Sequence, residues 1–311
     1  MFRGGFTREA AEQVAGASLS ILSALIDKSL IRANQWAGEI QRFDLHELVR
    51  QYAYERLCAI GETEIRQARE RHLEAFLGLA EQGEPGLHSA DNLLWIIRLE
   101  RDYDNLRAAF AWALDPTRGS DAEQAQRLVG ALWWFWCLRG HIEEACYWAK
   151  CALSQTAPHD AIRAKTLWVS GFLNFFYGNR DLARDQLQQS VTLCRRLGPS
   201  SNKDLALALN FLGWESRTRG DLTTSQANLE ESLIIRRELD DSWGIAQSLM
   251  NLGFTASKRG DFARAQVFLE EGLLAARAWG ERSHVAALLN GLGWMDRCQP
   301  RRFEARTLIT A

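Results

Sequence analysis

A glycine that returns at near-constant intervals constrains this chain more than any other feature. Gly140, Gly178, Gly220 and Gly260 stand 38, 42 and 40 residues apart, and Pro300 occupies the place 40 residues further on. Periods of this length mark stacked units, each of which must bury its apolar face against a neighbour. The surroundings repeat too. "LGWESRTRGDLTTSQANLEESL" at 212–233 returns as "LGFTASKRGDFARAQVFLEEGL" at 252–273, and more faintly around Gly178 and Gly140.

The unit reads as helix, turn, helix. Gly171, Gly213 and Gly253 lie seven residues before the anchor glycine, and Gly293 lies seven before Pro300. A small residue there lets two antiparallel helices approach closely. The anchor glycine suits a turn that needs positive φ. Ala152, Ser190, Ser232 and Gly272, twelve residues after the anchors, are small where one unit should stack on the next.

This pattern resembles the tetratricopeptide repeat, in the longer-period form of bacterial regulators. Ser216, Ala256 and Asp296 replace a tyrosine usual in that repeat. The resemblance implies a right-handed superhelix whose first helices line a concave groove. About five units are expected over 125–311, the last one truncated at "QPRRFEARTLITA".

The first 61 residues read differently. Residues 7–15 and 18–29 carry helical apolar spacing with Thr7 and Ser18 as N-caps. "SLIRAN" and "EIQRFDLH" read as strands joined through "QWAG", and "ELVRQYAYERLCAI" as a helix ended by Gly61. "FRGGFTREAAEQVAG", "LSALIDKSLIRA" and "FDLHELVRQYAYERL" look like the winged-helix segment that follows the nucleotide-binding (NB-ARC-like) domain in signal-transduction ATPases with numerous domains, the STAND class. "RERHLEAFLGLAEQGEPGL" and "LLWIIRLERDYDNLRAAFAWAL" are similar to the helical linker of those proteins. The expected organisation is a winged-helix domain over 1–61, a helical connector over 62–124 and repeats over 125–311, in a mainly α fold.

No G-x-x-x-x-G-K-[ST] occurs in the chain, so the resemblance implies the C-terminal sensor portion of a longer regulator, with Met1 an internal or mis-assigned start. Its missing partner would be an N-terminal nucleotide-binding domain carrying ADP or ATP. No cofactor is expected in this chain itself.

His46 is the sharpest candidate for chemistry. Leu45-His46-Glu47 stands where the related ATPases carry a Met-His-Asp motif, whose histidine meets the β-phosphate of ADP. An imidazole N–H can donate to a phosphate oxygen. The plainer reading is a histidine that caps or packs at a strand-to-helix junction.

Partner-binding candidates come from the groove phase of the repeats. Trp214, Phe254 and Trp294 follow the packing glycine in successive units, with Phe172 equivalent, and suit either packing or an aromatic-lined groove. Asn210 and Asn290 share the phase that in peptide-binding relatives contacts a ligand, while Met250 interrupts it; Arg217 and Arg297 lie further along the same helices. The occupant would be a protein, a peptide or a small effector. "LWWFWCLRG" at 132–140 reads as packing, and the pairs Glu230-Glu231, Asp240-Asp241 and Glu270-Glu271 as solvated surface.

Other function classes find less support. A net charge of −2, with basic and acidic residues balanced over the first 60, makes a poor footprint for DNA. Neither G-x-S-x-G nor H-E-x-x-H is present, so catalysis is not expected. The six cysteines show no C-x-x-C spacing and read as reduced, mostly buried thiols. No apolar run approaches the roughly 20 residues of a membrane span, and a cytoplasmic location is expected. Two competing readings are a stand-alone repeat scaffold joining partner proteins and a winged-helix DNA-binding regulator.

Overall fold

The computed structural model describes residues 1–34, 41–89, 91–118, 122–155, 159–279 and 282–298. Fifteen α-helices and three short strands are found among the described residues. The chain divides into two compact units, one of residues 1–87 and 91–158, the other of 88–90 and 159–311.

The first unit begins with strand β1 (Phe6–Thr7), then helices α1 (Arg8–Ala15) and α2 (Leu19–Asp27). The side chains of Thr7 and Ser18 accept from Ala10 N and Ile21 N, as their N-cap positions predict. β2 (Ile31–Asn34) and β3 (Arg42–Leu45) pair antiparallel, and β1 adds to the other edge of β3, giving the order β1-β3-β2. β1 has no counterpart in the sequence reading, because two residues are too few to show alternation. The expected "QWAG" turn lies outside the described residues. Phe6, Ala11, Leu22, Ile31 and Phe43 form the small core under the sheet.

α3 (Glu47–Ile60) ends at Gly61, whose φ of +145° disfavours a side chain. It leads to α4 (Glu62–Gly86), α5 (Asn92–Arg101) and α6 (Tyr103–Ala113), then the hairpin of α7 (Glu123–Arg139) and α8 (Ile142–Leu153). A polar network fastens the sheet to α6. Arg42 donates to both oxygens of Asp102 at 2.8 and 2.7 Å, and Asn105 accepts from Arg3 N at 2.6 Å while donating to Gly5 O at 2.8 Å. Asp102 and Asn105 are buried, so every one of these bonds satisfies a group cut off from water. Trp133, Phe135 and Trp136 are buried too, which is the packing role expected of that cluster.

The second unit stacks helical hairpins: α9 (Asp160–Tyr177) with α10 (Arg180–Leu197), α11 (Asn202–Arg219) with α12 (Leu222–Glu238), α13 (Ser242–Lys258) with α14 (Phe262–Trp279), and α15 (Arg282–Cys298) against α14. The first helices also pack on each other, α9 on α11, α11 on α13 and α13 on α15.

The glycine arithmetic now has its physical cause. Gly140, Gly178, Gly220 and Gly260 adopt φ between +77° and +103°, the left-handed turn between helices. A Cβ on Gly171, Gly213 or Gly253 would fall 2.7, 2.7 or 2.6 Å from the leucine sixteen residues later, inside the partner helix. Ser190 Oγ donates to Ala164 O and Ser232 Oγ to Ala206 O, each at 2.8 Å. Ser232 also meets Ser248 Oγ at 3.1 Å, so one small residue joins both helices of its hairpin to the next. The fifth turn, expected at Pro300, lies outside the described residues.

Two expectations need correction. Among the five free cysteines described, only Cys194 is buried; Cys58 is exposed and Cys137, Cys146 and Cys151 are half-buried. The acidic pairs are not merely solvated. Glu231 takes Arg195 at 2.8 Å, Glu230 takes Arg264 at 3.0 Å, and Glu271 pairs with Arg237, all across neighbouring hairpins. Asp241 caps α13 by accepting from Gly244 N at 3.0 Å.

Candidate functional site

A row of aromatic rings runs across the first helices of the second unit. Phe175 and Phe176 on α9 meet Trp214 on α11, with ring centroids 5.1 and 5.4 Å apart. Three residues beyond Trp214, and so on the same helix face, Arg217 lies over the ring of Phe254 on α13 at 5.5 Å. Phe254 in turn abuts α15 at Gly291, where a Cβ would come within 2.9 Å of its ring. Trp214, Arg217 and Phe254 are half-buried and Phe176 is 46% exposed, so the row has a solvent-facing side.

Arg217 is the unusual member. Burial pushes its guanidinium down to about 10, its Nε has no hydrogen-bond partner, and no carboxylate pairs with it among the described residues. A half-buried cation resting on an aromatic ring is a ready receptor for an anionic or carbonyl oxygen.

The structure thus brings Trp214, Arg217 and Phe254 together. Asn210 is fully buried one turn below Trp214, where its Oδ1 accepts from Asn251 Nδ2 at 3.3 Å and from Ser248 Oγ at 3.5 Å. Asn290 is exposed on α15. Trp294 and Arg297 also stand on α15, but their side chains lie outside the described residues. Phe172, equivalent to Trp214 by phase, is buried against Phe211 at 4.5 Å. Sequence reasoning missed Phe175 and Phe176, and Arg180, which sits 3.9 Å over Phe175. The dipeptide Phe175-Phe176 just before a turn glycine was the signal available.

His46 lies in the other unit, exposed at the N-cap of α3. Its Nδ1 accepts from Leu48 N at 3.4 Å. With Nδ1 as acceptor, the proton of a neutral ring resides on Nε2. Among the described residues no cluster of histidine, cysteine and carboxylate is arranged to hold a metal, and no helix is long and apolar enough to cross a membrane.

Hairpins of this phase, stacked first helix on first helix, define an α-solenoid of the tetratricopeptide type. Residues 245–278 match the tetratricopeptide repeat family. Curated relatives in Mycobacterium tuberculosis and Mycobacterium bovis, provisionally named HTH-type transcriptional regulators, are 28% identical over 262 residues. That match takes in 79% of this chain and 28% of each relative, so the chain spans little more than a quarter of their length. Among solved structures, the apo form of RapI aligns with a TM-score of 0.54 at 10% identity, covering 94% of this chain and 72% of that one. A STAND protein with a tetratricopeptide repeat sensor from Pyrococcus horikoshii aligns with a TM-score of 0.49 at 12% identity, covering 92% and 50%.

Proposed function

We propose that this chain is the non-catalytic sensor portion of a STAND-type transcriptional or signalling regulator, in which the face carrying Trp214, Arg217 and Phe254 binds a protein or peptide partner. The observation that carries this reading is the half-buried, unpaired guanidinium of Arg217 set in a row of aromatic rings. Such a surface presents the aromatic and arginine anchors that dominate protein interfaces. The relationship to the mycobacterial regulators supports a regulatory setting.

The first 61 residues act, in this reading, as a winged-helix lever, 62–124 as a connector and 125–311 as the repeat sensor. The sheet order β1-β3-β2, with α1 and α2 between its strands, is compatible with that lever. His46, its Nδ1 engaged by Leu48 N, turns an Nε2–H toward the β-phosphate of ADP held by an upstream nucleotide-binding domain in the same cell compartment, the cytoplasm. Partner binding favours the open state over the closed one, weakens that contact and permits nucleotide exchange. DNA contact is not assigned to this chain.

The test starts with the genomic frame upstream of the Met1 codon, which should run open into a segment encoding G-x-x-x-x-G-K-[ST]. In the protein restored to that length, His46→Ala should speed ADP release about tenfold or more, the effect of losing a charge-assisted hydrogen bond. Trp214→Ala should abolish the response to partner while leaving basal ADP release unchanged. A closed frame, or ADP release indifferent to His46→Ala, would overturn the proposal and leave the stand-alone scaffold.

A further inference from the structure

The first unit contains an open cleft of about 1010 Å³, lined by the N-terminal segment, α3, α4, α6 and α8. It shares a wall, made of Tyr54, Arg69 and Trp112, with a second cavity of about 470 Å³. Neither cavity includes a residue of the aromatic row on α9–α15, so whatever occupies them is not the partner proposed above.

The charges around the cleft are not all spent on one another. Arg50 is paired with Asp44 at 3.3 Å and with Glu47. Arg107 donates to both carboxylate oxygens of Glu144 at 2.7 Å and to Asp104 Oδ1 at 3.1 Å. Asp115 accepts from both Thr117 N and Thr117 Oγ1, at 2.9 and 2.7 Å, and these bonds hold its carboxyl below the ordinary range. Two lining guanidiniums, Arg3 and Arg69, have no ion-pair partner among the described residues. Arg69 instead lies 4.9 Å over the Trp112 ring and donates to Tyr54 Oη at 3.3 Å. His72 contributes no charge at neutral pH, because burial pushes it down to about 4.

Trp112 supplies the second, independent sign of a ligand. The residue is 8% exposed, and its indole Nε1 is buried with no acceptor among the described residues. A buried donor without a partner is costly enough that native structures rarely tolerate one without a role. Its ring lies beneath the Arg69 guanidinium. An oxyanion that draws Arg69 off the ring would both neutralise that cation and open a path to the indole N–H.

We propose that this cleft binds a small organic oxyanion carried on a planar ring, its anionic group held by Arg69 and Arg3, its ring beside Tyr54 and Trp112, and an acceptor oxygen on Trp112 Nε1. Two sources share that chemistry, an aromatic carboxylate and a purine monophosphate. The site requires neither the upstream domain nor the partner face, so it can be measured on the 311-residue chain.

Isothermal titration of that chain with indole-3-acetate and, separately, AMP tests the assignment. At least one probe should bind with Kd below about 1 mM. Arg69→Gln should weaken it about tenfold or more, and Trp112→Phe, which keeps the ring and removes only the N–H, about fivefold. Arg217→Gln, on the other unit, should change nothing. Arg3→Gln provides a variant with no folding liability, since Arg3 engages Asn105 through its backbone N–H; it too should weaken binding. Preference for indole-3-acetate identifies the carboxylate source, and preference for AMP the phosphate source. Absence of heat with both probes, or binding that survives Arg69→Gln, Arg3→Gln and Trp112→Phe unchanged, overturns the proposal.

Discussion

Single residues in this protein do sharply different work in chemically similar guises. Gly220 serves backbone conformation, with φ +88° and open space where a Cβ would sit, whereas Gly213 serves packing, with Leu229 Cγ 2.7 Å and Ser225 O 3.1 Å from that position. Gly220→Ala should therefore cost about 1 kcal/mol through strain at positive φ. Gly213→Ala should cost more, about 1–3 kcal/mol, because two helices must separate to admit a methyl group. Urea denaturation of both variants gives the comparison, and equal losses would contradict it. His72 offers a second residue-scale prediction. Packed against Phe76 at 4.5 Å and reaching Asn105 at 3.5 Å, it is pushed by burial from the usual 6.5 to about 4. As pH falls the unfolded chain takes up its proton first, so stability is intact above about 6.5 and drains between 6.5 and 4. At pH 5 this single group should account for about 2 kcal/mol of lost stability. His72→Gln should flatten the slope between pH 7 and pH 5 by that amount in denaturant midpoints, whatever its effect at pH 7.

At the scale of elements, the hairpins are joined by a few polar devices set in an apolar stack. Arg236 on α12 is completely buried, with Nη2 on Gln247 Oε1 at 3.0 Å and Asp241 Oδ2 at 3.8 Å from Nη1, while Nε and Nη1 make no hydrogen bond among the described residues. Burial pushes this guanidinium down to about 10, and Asp241 works in the opposite direction. Asp241 thus has two roles, capping α13 and shielding a buried cation on α12. Asp241→Asn should keep most of the cap and expose the electrostatic part alone, while Asp241→Ala removes both. The expected losses are about 1–2 kcal/mol for the first and about 3 kcal/mol for the second, read from thermal or urea unfolding. Equal losses would mean that the charge contributes nothing. The exposed ion pairs between hairpins, such as Arg195 with Glu231, are expected to set register more than stability.

At the scale of the whole molecule, the second unit is an array in which each hairpin contacts only its neighbours, so its stability is distributed along one dimension. Among the described residues α11 and α13 have packed first helices on both sides, whereas α15 has one. Amide hydrogen exchange should accordingly be slowest in α11–α13 and faster in α15 by about tenfold or more. A uniform profile across the unit would indicate a single cooperative block. Buried polar groups are confined to particular places in both units, including Asn105 and Asp102 in the first and Asn210, Ser232, Ser248 and Asn251 in the second. In both they join elements that are distant in sequence, and such contacts favour one arrangement over near alternatives.

The repeat was legible because its causes are local. A turn that needs positive φ selects glycine at Gly140, Gly178, Gly220 and Gly260, and a close helix pair selects glycine seven residues earlier, so the sequence alone determined the hairpins, their phase and the caps at Thr7 and Ser18. The partner face was half legible: phase placed Trp214 and Phe254 on successive first helices, but could not tell half-buried Trp214 from buried Phe172, or show that Asn210 turns inward. β1, the Arg42–Asp102 pair 60 residues apart, the buried Arg236 and the cleft around Trp112 belong to tertiary structure alone. Side-chain periodicity reports only which face a residue occupies. Whether that face meets water, a ring or an unpaired charge depends on a neighbour that the chain supplies from far away.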